Sequence, residues 1–123
     1  MPVNQTYRQI TFDLDGQGSA IAGSGTWYLA SIPYAGTITG WNIVADKSGS
    51  IVIDVWKQNA SVPTASSTIT ASSLPTLTSA QSAFSGSIAG WKSTVSVGDV
   101  FAFNVNSAST ITKASLTIRV SAS

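Results

Sequence analysis

The chain has 123 residues, enough for one domain with its own core and too few for two of the usual size. Hydrophobic residues make up 43% and charged residues 9%, against a usual charged share of about 25%; 21 Ser and 14 Thr stand in for the missing charge. His, Cys and Glu are absent, which removes Ser-His-Asp and Cys-His nucleophile systems, thiolate and imidazole metal sites and disulfides, while a net charge of +1 from singly scattered side chains leaves no basic stripe for nucleic acid.

The opening MPVNQTYRQI lacks the apolar stretch of a secretion signal, and no window approaches the run of about 20 apolar residues that spans a bilayer. A soluble chain without membrane insertion is expected. Residues 1–9, polar apart from Val3 and Tyr7, read as an N-terminal arm that orders on docking, ahead of a single domain over 10–123. From Ile10 to Leu14 the apolar residues Ile10, Phe12 and Leu14 alternate with Thr11 and Asp13, the pattern of a strand with one buried face. The glycines Gly16, Gly18, Gly23 and Gly25 then mark a loop. A second strand is expected over Thr26–Ile32, ended by Pro33.

Thr37–Ala45 and Ser50–Lys57 read as a hairpin around the polar, glycine-ending Asp46-Lys47-Ser48-Gly49. Asn59–Ser87 is rich in Ser, Thr and Ala. It is expected as an ordered surface excursion pinned by Val62, Ile69, Leu74, Leu77 and Phe84. Val100–Asn106 sets Phe101, Phe103 and Val105 on one face, and Thr110–Val120 sets Ala114, Leu116, Ile118 and Val120 against Lys113, Ser115, Thr117 and Arg119. An Ile-x-Gly-Trp pattern occurs twice, at Ile38–Trp41 and Ile88–Trp91. It falls short of a repeat, but Gly40 and Gly90 each suit a close approach that Trp41 and Trp91 would cover. The sum is an all-β fold, an antiparallel β-sandwich or jelly roll of about seven or eight strands with little or no helix.

Chemistry is scarce. Asp13-x-Asp15-Gly16 resembles the start of a calcium loop, but the chain has no Glu to complete one, and a strand running into an Asp-Gly turn explains it. No metal and no cofactor are expected. The five aspartates invite comparison with a glycosidase pair; Asp54, the one inside a strongly apolar strand, is expected to face outward beside Lys57 or to cap a turn. No catalytic residue is assigned and no enzyme is expected. Trp27, Tyr28, Tyr34, Trp41, Trp56 and Trp91 offer either core and subunit anchors or a sugar-stacking platform, and the first is preferred. Tyr34, beside Pro33, is expected to be an exposed ring. Tyr7, Trp27, Tyr28 and Tyr34 are the candidate partner or glycan contacts.

The stretches ITGWNIVADKSGSIVIDVWK (38–57), ITASSLPTL (69–77) and AGWKSTVSVGDVFAFNVNSASTITKASLTI (89–118) resemble a small domain of tailed-bacteriophage structural proteins, found as a stand-alone protein and as a module of tail-fibre or adhesin chains. The resemblance spans roughly residues 10–120, and it is most specific over Gly49–Lys57 and over Gly98–Thr110. It implies a non-enzymatic virion protein: a capsid decoration or cement protein, or a small fibre subunit. It would contact other virion proteins of capsid or tail, and a homo-oligomer such as a trimer is expected. The alternative is a receptor-binding tail module that recognises a host surface glycan.

Overall fold

The structure, a computed structural model, describes residues 6–15, 21, 26–70, 73–85, 88 and 90–122. Of Thr6, Tyr7, Asp15, Thr26, Trp27, Tyr28 and Ser85, the backbone alone is described. The elements are β1 (Thr6–Asp15), β2 (Thr26–Ile32), β3 (Gly36–Asn59), a 3-10 turn (Ala65–Ser67), β4 (Thr76–Ser85), β5 (Thr94–Val95), β6 (Asp99–Ser109) and β7 (Lys113–Ala122). All pairings between these strands are antiparallel, in the order β1-β7-β3-β6-β2, with β4 and β5 also on β3. The expected all-β, nearly helix-free architecture is therefore present. Residues 6–9 belong to β1, Thr6 lying opposite Ala122; residues 1–5 fall outside the described residues.

The 24-residue β3 organises the rest. Its first half, Gly36–Ala45, pairs with β7, and its second half, Ser50–Asn59, pairs with β6. β1 and β2 lie in turn on the far edges of β7 and β6. The opposite edge of β3 is covered by β5, by β4 and by Thr68, Ile69 and Pro75, where the Ile69 N–H donates to the Val55 carbonyl and the Pro75 carbonyl accepts from the Ile53 N–H.

Thr37–Ala45 and Ser50–Lys57 thus do not form a hairpin; they are one strand. A tight hairpin turn needs residues at positive φ, and none of Asp46–Gly49 has it, whereas Thr110 on the facing segment does, at 73°. The reversal signalled by Asp46–Gly49 is taken up instead as a bend where β6 passes into β7. Gly49 is required there by proximity. A Cβ on it would stand 2.6 Å from the Ser109 carbonyl oxygen and 2.7 Å from Ile111 Cγ1. Asp46 holds the same corner, its carboxylate accepting from the Thr112 N–H at 3.2 Å, the Lys113 N–H at 2.9 Å and the Thr112 hydroxyl.

Bending folds the sheet over its own apolar face into a half-barrel sandwich. Ile10, Phe12 and Leu14 of β1, Leu116, Ile118 and Val120 of β7, and Ile38, Trp41 and Ile43 of β3 line one wall; Ile51, Ile53 and Val55 with Phe101, Phe103 and Val105 line the other, and all are buried. Phe12 of β1 and Phe103 of β6, from opposite walls, stack with ring centroids at 5.0 Å. Each fully buried aliphatic or Phe side chain contributes about 1.5–3 kcal/mol relative to exposure. A bulge at Thr39 sets Thr39 and Gly40 opposite Arg119, so that Ile38 and Trp41 both face inward despite their odd spacing.

The excursion is ordered where it is described, but only part of its expected apolar set pins it. Ile69 and Leu77 are buried, whereas Val62 and Phe84 are exposed. Polar side chains complete the attachment. Asp54 accepts from the hydroxyls of Thr68 at 2.5 Å and Thr70 at 2.9 Å, and the buried Thr70 hydroxyl oxygen accepts from the Val55 N–H at 3.2 Å. The Ile-x-Gly-Trp pair is not a structural repeat. Ile38–Trp41 lies within β3, while at Ile88–Trp91 the Trp91 N–H closes a turn onto the Ile88 carbonyl at 2.9 Å, with Gly90 at φ 81°.

Candidate functional site

The aromatic candidates do not assemble into a platform among the described residues. Trp41 and Trp91 are core side chains, 6% and 8% exposed, and the Trp91 Nε1–H donates to the Ser73 carbonyl at 2.7 Å. Gly40 is buried in β3 beside the bulge. Tyr34 is half-buried and packs against the core, which corrects the expectation that it is exposed. Arg8 lies over it, its guanidinium carbon 5.8 Å from the ring centroid. Burial pushes the Tyr34 phenol up, opposed by the positive charge of Arg8. The side chains of Tyr7, Trp27 and Tyr28 lie outside the described residues; their backbones sit opposite Ser121, Asn104 and Phe103 respectively.

Three of the five aspartates, Asp46, Asp54 and Asp99, are spoken for structurally, while the Asp15 side chain and Gly16 of the Asp13-x-Asp15-Gly16 motif lie outside the described residues. Asp54 holds the excursion, as above, rather than pairing with a second carboxylate. Asp99, buried, accepts from the Ser96 N–H at 2.8 Å and Asn59 Nδ2 at 3.1 Å and lies 3.6 Å from Lys57 Nζ, which also donates to the Thr94 carbonyl. That network ties the β5–β6 turn to the end of β3. The Asp46 carboxyl is held down at about 2, first by the Thr112 hydroxyl and then by the Lys113 N–H. A shallow groove of about 350 Å³ runs beside it, lined by Asp13, Val44, Lys113 and Ser115 among others. Among the described residues no three metal-ligating side chains group together, and no helix is long and apolar enough to cross a membrane.

Two surface features remain, both missed by sequence reasoning. The first is the edge of β4. This strand pairs only with β3 among the described residues, so its second edge presents unpaired backbone donors and acceptors. Its sequence, TLTSAQSAFS, carries neither charge nor proline, two of the usual means of blunting an edge. Ser79, at φ 45°, sits at one register shift and a second falls between Ala80 and Ser82, so the regular ladder of β4 runs over residues 82–85. Phe84 stands there 70% exposed, opposite Asn42, and Val44, 45% exposed, stands opposite Ser82 on the same face. The second feature is a cleft of about 670 Å³ lined by Arg8, Gln9, Thr39 and Arg119. Gln9 faces Arg119 across the β1–β7 ladder, and the bulge sets Thr39 on the other side of Arg119, with its hydroxyl donating to the Arg119 carbonyl at 3.4 Å. A phenylalanine in a Ser/Ala-rich stretch is the only trace of the first feature in the sequence. The second leaves none, because its residues come from three distant segments.

Comparison of the chain with protein families, curated proteins and solved structures finds no match.

Proposed function

We propose that this chain is a non-enzymatic structural protein of a tailed-phage particle, a capsid decoration or cement protein or a small fibre subunit, that works by protein–protein contact within a homo-oligomer. The observation that carries this reading is the open β4 edge with Phe84 displayed on it. An uncharged edge strand can extend a neighbour's sheet through main-chain hydrogen bonds, with adjacent side chains setting specificity, and an exposed aromatic is a usual anchor of such contacts. The sequence resemblance supplies the particle; the absence of His, Cys and Glu and the structural employment of Asp46, Asp54 and Asp99 support the non-catalytic role.

Cryo-electron microscopy of the intact particle is the test, with Phe84→Asp as the variant. Residues 80–85 are expected against a neighbouring subunit, and the variant is expected to lower incorporation by about tenfold or more with unchanged melting. Absence of the chain from purified particles, or full incorporation of the variant, refutes the proposal.

A further inference from the structure

We infer that the open edge of β4 pairs with the same edge of a second copy of this chain, antiparallel about a two-fold axis at Ala83, so that each Phe84 lies over Ser82 of the other copy and reaches its Val44. The inference rests on the reading of β4 as a contact surface and gives it a partner and a register. A contact between identical surfaces has to be self-complementary. Residues opposite one another in an antiparallel pair share a face of the sheet. On β4, Ser82 and Phe84 stand on the outward face with Val44 and Asn42, while Ala83 stands opposite the buried Ile43. Matching faces therefore requires the axis to pass through a residue, not between two. Centring on Phe84 would set Ser82 against a position past Ser85, where β4 ends, and centring on Ser82 would set Phe84 against Ala80, across a register shift. Ala83 is the centre that lays the regular ladder on itself.

In that register each copy supplies both an anchor and its seat. Phe84 is 70% exposed and falls opposite Ser82 of the other copy, with Cβ atoms about 4.5–5.5 Å apart. The small Ser82 side chain lets the ring pass over it to Val44, which stands opposite Ser82 on the next strand, 45% exposed. Val44 in turn borders the shallow groove of about 350 Å³ that Leu14, Ala45 and Ala114 also line, so the seat is apolar. The charge pattern favours the same occupant. TLTSAQSAFS has no ionised side chain, so two identical edges meet without like charges facing each other. A partner with a charged edge would find no counter-charge on β4.

The test is sedimentation equilibrium of the full chain, with disulfide trapping; the chain has no cysteine of its own, so single introduced cysteines report the register. A concentration-dependent dimer is expected. Phe84→Asp is expected to weaken it about thirtyfold or more, and Val44→Ser, which leaves the edge strand unchanged, about fivefold or more. Ala83→Cys is expected to oxidise to a linked dimer, because residues on the axis stand about 4.5–5.5 Å apart between Cα atoms, within disulfide range. The two copies of Ser82→Cys are offset along the strands to about 8 Å and are expected to stay unlinked. Circular dichroism checks that each variant keeps the fold. A monomer at every concentration up to about 1 mM, an unchanged dimer in Val44→Ser, or equal linking at both cysteine positions overturns the inference. Larger assemblies without the Ala83→Cys link also overturn it, since they mean a head-to-tail contact, such as β4 against the uncharged edge of β2. If the chain is monomeric and Phe84→Asp is still lost from particles, the inference fails and β4 remains a contact surface; if it dimerises as expected and Phe84→Asp is fully incorporated, the dimer stands and the particle reading fails.

Discussion

If the sheet is folded over at Gly49 and Thr110–Thr112, Phe12 and Phe103 must be energetically coupled. β7 and β6 follow one another along the same edge of β3; Phe12 lies across β7 from Ile43, and Phe103 lies opposite Val55. In a flat sheet that offset of 12 residues along β3, at about 3.3 Å each, would hold the two rings about 40 Å from one another, beyond any direct interaction. They stand instead at 5.0 Å with an interplanar angle of 17°, an offset stack for which pairs contribute about 0.5–1.5 kcal/mol beyond area burial. Truncation to Ala would cost about 3–5 kcal/mol at each site, and the pair could exhaust a total stability of about 5–15 kcal/mol. Phe12→Leu, Phe103→Leu and the double variant keep the protein folded, at about 0.5–3 kcal/mol per single change. Equilibrium urea unfolding with constant m-values is expected to show the double variant less destabilised than the sum of the singles, by about 0.5–1.5 kcal/mol. A coupling below about 0.3 kcal/mol, the level at which distant sites add, would refute the folded-over arrangement.

The same bookkeeping applies to the excursion and the corner. Thr70→Val preserves shape but leaves the buried Val55 N–H without its acceptor, a loss of about 1–3 kcal/mol. It should appear as lower urea stability together with faster exchange of the Val55 amide, and unchanged stability would mean that the side-chain link is idle. The Asp46 carboxyl has a folded value of about 2 against an ordinary 3.8, so its stabilisation is complete above about pH 4 and lost as the pH falls toward 2. Asp46→Asn should therefore melt lower than the native chain at pH 6 and lose less on acidification from pH 4 to pH 2; parallel melting curves across that range would contradict the corner's dependence on this carboxylate.

Local alternation made much of the sheet legible. Thr26–Ile32 has the expected bounds, and the inward sets of β1, β6 and β7 are those that period-2 spacing picks out. What escaped depends on distant partners. Asp46–Gly49 has turn chemistry, yet strand geometry is retained because β4, β6 and β7 all supply ladders around it. The turn residues then serve the facing corner through the Asp46 carboxylate. β4 was hidden because TLTSAQSAFS has little apolar alternation and is strand only by virtue of its pairing with β3. Tyr34 reads as exposed from its loop and its proline neighbour, but the packing of Arg8 and the core decides its burial. Arg8 looks like an isolated surface charge until the β1–β7 register sets it on the face of the buried Val120, beside Tyr34.

The pairing of Thr6 with Ala122 and of Asp15 with Lys113 also sets a timetable for synthesis. β1 is made early, yet it has no ladder partner until residues 113–122 have emerged from the ribosome, and the first half of β3 waits for the same residues. In the interval β4, β5 and β6 can cover β3, but the edge of its first half that β7 takes stays open. Sequence separations this long place the domain among slowly folding topologies, on the millisecond-to-second scale, with open strand edges exposed meanwhile to other nascent chains. The low charge that suits the finished surface thus leaves the unfinished chain dependent on the prompt arrival of β7.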